Sequence, residues 1–148
     1  MATIIETLQE ATDDAGFQGL SFANLQEFNA FMDSFTFEEY PRNVIVPFTM
    51  NGVLKNNRKK KVIRLQGWAL TRIQEDTNDW RSISLEVDYI QPMRELAEKF
   101  LVSVINSDLT YAEVEDVSYS ITPEYMFLAA HLFGVSYTIN WPVSGTIC

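Results

Sequence analysis

The sequence predicts an α+β fold: an antiparallel β-sheet with a long protruding β-hairpin and helices packed on one face. Three observations carry that expectation. Phe133, Val135, Tyr137, Ile139 and Trp141 alternate with Gly134, Ser136, Thr138 and Asn140, the two-residue period of a strand buried on one face. Met93, Leu96, Ala97, Phe100, Leu101, Val104 and Ile105 recur at spacings of three and four, the stripe of a one-sided helix. Residues 43–55 (NVIVPFTMNGVLK) and 60–74 (KKVIRLQGWALTRIQ) are rich in β-branched and aromatic residues, as strands are. At 148 residues, 47% of them hydrophobic and 13% aromatic, the chain suits a single domain, 1–148, with a full core.

The elements follow in order. Ile4, Ile5 and Leu8 place a short helix over residues 3–12, ending at Asp13-Asp14-Ala15-Gly16. From Ser21, the residues Phe22, Leu25, Phe28, Phe31, Met32 and Phe35 form a second helical stripe, with Ser21 or Asn24 as N-cap. Tyr40-Pro41 breaks it, because the residue before proline is pushed to extended geometry. The two strands of the hairpin come next. Between them Asn56-Asn57-Arg58 suits a reversal, since Asn tolerates positive φ. Pro47 marks an edge or a bulge in the first strand, and the isolated Gly67 a bulge or a close backbone contact in the second.

Glu75-Asp76-Thr77-Asn78-Asp79 reads as an acidic turn, and residues 81–87 as a third strand, with Ile83, Leu85 and Val87 alternating with polar residues. Asp88 with Gln91 resembles a capping box for the helix carrying the Met93–Ile105 stripe. Asn106-Ser107-Asp108 ends that helix. Val117, Tyr119 and Ile121 predict a fourth strand, residues 123–130 the crossing from Pro123 to the last strand, and Pro142 the end of the run.

Charge is distributed unevenly along this frame. Residues 40–74 contain no Asp or Glu but eight of the eleven basic residues. Six of them, Lys55, Arg58, Lys59, Lys60, Lys61 and Arg64, crowd the predicted hairpin tip. The rest of the chain holds all twenty acids and only Arg81, Arg94 and Lys99 as basic residues. Such polarity bears on association more than on fold, and the overall net charge of −9 argues against general coating of nucleic acid.

Catalytic chemistry has little to build on. His131 is the single histidine and Cys148 the single cysteine, so neither a histidine-based metal cluster nor an internal disulfide is available. No glycine-rich phosphate loop, nucleophile elbow or calcium loop appears. The acid pairs Asp13-Asp14, Glu38-Glu39, Asp76 with Asp79, and Glu113 with Glu115-Asp116 fall in predicted turns rather than facing each other across a cleft. The sequence therefore predicts no catalytic residue, cofactor or metal. The start of the chain lacks the pattern of a signal peptide, and no apolar run predicts a membrane span.

The basic hairpin admits three readings. Its charges protect an exposed edge, follow a phosphate backbone non-specifically, or meet acidic turns of a neighbouring copy head-to-tail. Only Trp68 lies near enough in sequence to stack on a base, so single-strand readout has weak support.

A resemblance favours the third reading. The order helix, YPRNVIVPFTMNG, long hairpin, DYIQPMRELAEKFLVSVINS as a helix and HLFGVSYTINWPV as the close resembles tail-terminator or tail-completion-like neck ring proteins of tailed bacteriophages, over residues 3–143. The suggestive pieces are Tyr40-Pro41 leading into the first strand, Pro92-Met93 opening the later helix, and residues 134–142 as the closing strand. The resemblance implies a homo-oligomeric structural ring in the head–tail connector (neck) or tail end of a virion, made in the host cytoplasm. It implies no enzymatic activity, no cofactor and no membrane. DNA would pass through the ring, and other phage neck, portal or tail proteins would lie above and below. Lys55, Arg58, Lys59, Lys60, Lys61 and Arg64 would then lie at a subunit boundary or reach toward channel DNA. Two predicted helices precede the first strand where the family's basic pattern needs one, which leaves the place in the neck or tail open. The alternative reading is a small DNA-binding accessory protein using the basic hairpin.

Overall fold

The computed structural model describes residues 3–22, 40–47, 49–55, 58–72, 86–110, 117–127 and 132–144. Helix α1 (Ile4–Ala15) starts where the Thr3 hydroxyl accepts a hydrogen bond from the Glu6 backbone N–H at 3.1 Å, satisfying one of the free N–H groups of a helix start. It runs to the end of the expected segment and stops at Gly16, whose φ of 105° is left-handed, a conformation that costs glycine little. The chain then enters a short strand, β1 (Gly19–Phe22). Ser21 and Phe22, expected to open a second helix, belong to this strand; the remaining positions of that stripe, Leu25 to Phe35, lie outside the described residues.

Strand β1 pairs in parallel with β2 (Arg42–Ile45), so the expected antiparallel sheet is in fact mixed. A parallel neighbour requires a long crossover, and the stretch between Phe22 and Arg42 supplies one. Strands β3 (Thr49–Lys55) and β4 (Arg58–Arg72) pair antiparallel where the hairpin was expected. Both β2 and β3 lie along β4, and the register steps from Ile45↔Gly67 to Thr49↔Arg64. The β2–β3 side therefore holds one residue more than β4, a bulge at Pro47 as anticipated. Across the bulge the Val46 N–H still reaches the Gln66 carbonyl at 3.0 Å.

On the other side, β4 pairs antiparallel with β6 (Leu132–Ser144) from Lys60↔Ser144 to Arg72↔Leu132. The hairpin consequently has company along most of its length. Only the pairs Leu54↔Lys59 and Lys55↔Arg58 run past Ser144, the last described residue of β6. Strand β5 (Tyr119–Phe127) pairs with β6 and closes the order β1-β2-β4-β6-β5. It runs through Pro123, where a crossing was expected, with an irregularity between Glu124 and Phe127. Likewise β6 continues through Pro142. Its pairing with β5 ends at Tyr119↔Ile139, so Pro142 lies where β6 has lost its β5 neighbour, and proline is tolerated at such edges.

A π-helical turn (Glu86–Ile90) leads directly into α2 (Gln91–Ile105). Glu86 and Val87, expected in a strand, are thus helical; residues 81–85 of that strand lie outside the described residues. Asp88 does not cap. Ile90, at the junction, has helical φ and ψ of −75° and −48° and makes no side-chain cap bond. Helical backbone already precedes α2, and Pro92 has no N–H to satisfy.

The core cluster draws residues from the sheet and from both described helices. Ile63, Leu65 and Ala69 of β4 and Phe133, Val135, Tyr137, Ile139, Trp141 and Val143 of β6 pack with Leu8, Ala11 and Ala15 of α1 and with Met93, Ala97, Phe100, Leu101 and Val104 of α2. Alternate residues of each strand and every third or fourth residue of α2 converge, as the periods demanded. Phe100 and Tyr137 meet with ring centroids 5.5 Å apart. A buried polar chain crosses this core. The Tyr137 hydroxyl donates to Asn43 Oδ1 at 2.5 Å, Asn43 Nδ2 donates to Thr12 Oγ1 at 3.0 Å, and the Thr12 hydroxyl donates to the Leu8 carbonyl at 2.7 Å. It ties β6, β2 and α1 together and fixes their mutual register, since each member buried without its partner would cost free energy. Gly67 permits this approach: a Cβ there would lie 2.6 Å from the Tyr137 hydroxyl and collide with the Val44 carbonyl.

Candidate functional site

The ladder of β3 and β4 fixes where the basic residues stand. Lys55 faces Arg58 at the turn, Lys59 faces Leu54, Lys60 lies between Val53 and Ser144, and Lys61 between Gly52 and Val143. Arg64 follows between Thr49 and Asn140. All six predicted positions therefore fall on a single strand pair and span its ladder from Lys55↔Arg58 to Thr49↔Arg64. Strand alternation sends Lys61 to the face that carries Ile63 and Leu65, where it is half-buried, and Arg64, itself exposed, to the opposite face. With the Gln66 amide turned so that its oxygen faces the guanidinium, Arg64 Nε and Nη2 each lie 3.2 Å from that oxygen. Trp68 lies further along β4, between Val44 and Ser136, and is half-buried.

Strand β3 has no second strand beside it among the described residues. Its outer N–H and C=O groups form an edge, the feature that invites another chain. Arg42, the basic residue farthest from the turn on this side, is absorbed locally. Its Nη2 and Nε donate to the Ser21 hydroxyl at 2.8 and 3.2 Å, bracing β1 on β2.

Of the candidate catalytic groups, only Asp13 and Asp14 are among the described residues. Asp13 and Asp14 are exposed near the end of α1. Glu38-Glu39, Asp76, Asp79, Glu113, Glu115, Asp116, His131 and Cys148 lie outside the described residues. Among the described residues no group of three or more His, Cys, Asp or Glu side chains is placed to hold a metal ion, and no helix is long and apolar enough to cross a membrane. The titratable group most altered by the fold is the Tyr137 hydroxyl, which burial pushes well above its ordinary range, against a smaller opposing effect of its hydrogen bond to Asn43. Its side chain is buried, with the Asn43 amide as its hydrogen-bond partner.

One feature escaped the sequence. Asp14 of α1 joins Glu95, Glu98, Lys99, Val102 and Ser103 of α2 around a groove of about 430 Å³. The helical period placed Glu95, Glu98 and Lys99 on one outer face, but only the packing of α1 against α2 brings Asp14 beside them.

No protein-family model matches the chain, and no curated protein matches it.

Proposed function

We propose that this chain is a structural ring protein of a tailed bacteriophage, placed in the head–tail connector or at the tail end and surrounding the DNA channel. In this reading α1 and α2 cover one face of the sheet. The end of the β3–β4 hairpin lies at the boundary between copies, and neighbouring rings stack above and below. The observation that carries the reading is the gathering of six basic residues along one strand pair, β3 and β4, in a chain whose acids all lie elsewhere. An exposed strand edge gives a second copy backbone groups to pair with, while opposite charge selects its orientation.

The same cluster supports a second reading, a small DNA-binding accessory protein, because Arg64 is exposed and Lys55, Arg58, Lys59 and Lys60 gather around one turn. Native mass spectrometry and negative-stain microscopy of the purified protein at low salt, with and without duplex DNA, separate the two. A ring of defined copy number formed without DNA supports the neck or tail role. A strict monomer that joins no virion component sinks it, and a monomer that shifts duplex DNA in a salt-dependent way establishes the accessory reading in its place.

A further inference from the structure

We infer that the groove between the end of α1 and the outer side of α2 receives the basic β3–β4 hairpin of a second copy of this chain. The inference rests on the ring reading above and gives it a specific contact. The groove combines acid with an apolar floor. Asp14, Glu95 and Glu98 stand on its walls, with Lys99 as the single basic residue. Val102 is 52% exposed there, although the stripe residues Met93, Ala97, Phe100, Leu101 and Val104 of the same helix are buried. Such a site suits lysine and arginine, whose aliphatic stems cover apolar surface while the charged heads reach carboxylates.

Charge complementarity names the occupant. The sequence has one concentrated source of positive charge, residues 55–64, with six of the eleven basic residues and no acid. A chain does not place its own hairpin in its own groove, because Glu95, Glu98 and Val102 are on the exposed side of α2, turned away from the sheet that the hairpin extends. Donor and acceptor are therefore different surfaces of the molecule. Repeating that contact from copy to copy is heterologous, and it closes into a ring when the rotation allows. Solvent-exposed charges set orientation and encounter rate and are screened by salt, over about 8 Å at physiological ionic strength.

The test is a charge exchange read by sedimentation velocity at low salt. The pair Glu95→Lys with Glu98→Lys, and separately Lys59→Glu with Lys60→Glu, should each weaken self-association at least tenfold. Mixing the two variants should restore pairing between them, since the basic hairpin of the groove variant then finds the acidic groove of the hairpin variant. The milder pair Glu95→Gln with Glu98→Gln should shift association in the same direction by less, with an unchanged unfolding midpoint because both positions are exposed. Wild-type protein that assembles while the groove variants assemble equally well overturns the groove contact and leaves the ring reading standing. Failure of the mixture to recover also overturns it. Wild-type protein that stays monomeric at every concentration removes both.

Discussion

Strand β4 serves two regions with opposite demands. From Ile63 to Leu70 it is an interior strand, with β6 on one side and β3 then β2 on the other, and its alternate residues Ile63, Leu65 and Ala69 are buried in a core cluster shared with α1 and α2. From Arg58 to Lys61 it carries four consecutive basic residues beside the edge strand β3. The first stretch is fixed by packing and by a closed polar chain. The second has like charges at directly paired positions, Lys55 opposite Arg58, an arrangement that destabilises a strand pair. A protein shaped for stability alone would not place them so. On the proposed reading, fold and association belong to different ends of one strand, and three substitutions test that division.

The largest effect belongs to the sealed end. Phe100 is wholly buried and packs against the Tyr137 ring. Phe100→Ala should cost about 3–5 kcal/mol in denaturant unfolding, the range for emptying an aromatic site in a packed core. If the division holds, whatever protein remains folded keeps wild-type self-association. A loss of association well below the unfolding transition would break it.

A smaller effect sits at the polar chain. Tyr137→Phe removes the donor to Asn43 Oδ1 and leaves that oxygen buried, at a cost of about 1–3 kcal/mol. It also has a pH signature. Burial raises the folded-state Tyr137 pKa, while in the unfolded chain the phenol ionises near its ordinary value of about 10. Below that pH both states hold the proton, and the tyrosine's full contribution is present. Above it the unfolded state loses its proton first, so stability is lost as pH rises, by up to about 1.4 kcal/mol per pH unit. Chemical denaturation of wild type and Tyr137→Phe at pH 8 and at pH 11 should show their gap shrinking at the higher pH. A constant gap would show that the hydroxyl is not sealed from ionisation.

The two regions were unequally legible in the sequence. The last strand could be read directly because its burial is one-sided, and a period of two from Phe133 to Trp141 has no helical alternative. The Met93–Ile105 stripe was clear for the same reason. The basic segment was legible as composition, and the turn residues Asn56 and Asn57 placed it on a hairpin. What stayed hidden was decided by distant partners. Strand β1 is only Gly19–Phe22, and its pairing with β2 takes Ser21 and Phe22 from the start of the expected helical stripe. The Tyr137–Asn43–Thr12 chain joins positions whose separations in sequence are 94 and 31, with no local pattern to announce it. Pro142 was misread because proline's incompatibility with a strand depends on which side has a neighbour. Asp14 reaches the acidic groove only through helix packing.

The smallest stability effect is the most discriminating. Arg58→Glu turns the paired position opposite Lys55 from a like-charge pair into an opposite-charge pair. Such cross-strand changes are worth about 0.2–1 kcal/mol, so the variant should unfold at slightly higher denaturant than wild type. It also removes a basic residue from the segment offered to the neighbouring copy and adds an acid in its place, so self-association at low salt should fall. Stability and association then move in opposite directions from one substitution. That outcome is hard to obtain if the charges merely guard a solvated edge, because a guard of either sign would serve and assembly would not change. Unfolding midpoint and sedimentation profile measured on the same preparation decide the matter. If both rise together, the basic end contributes to the fold, and the division of β4 into a folding end and an associating end is wrong.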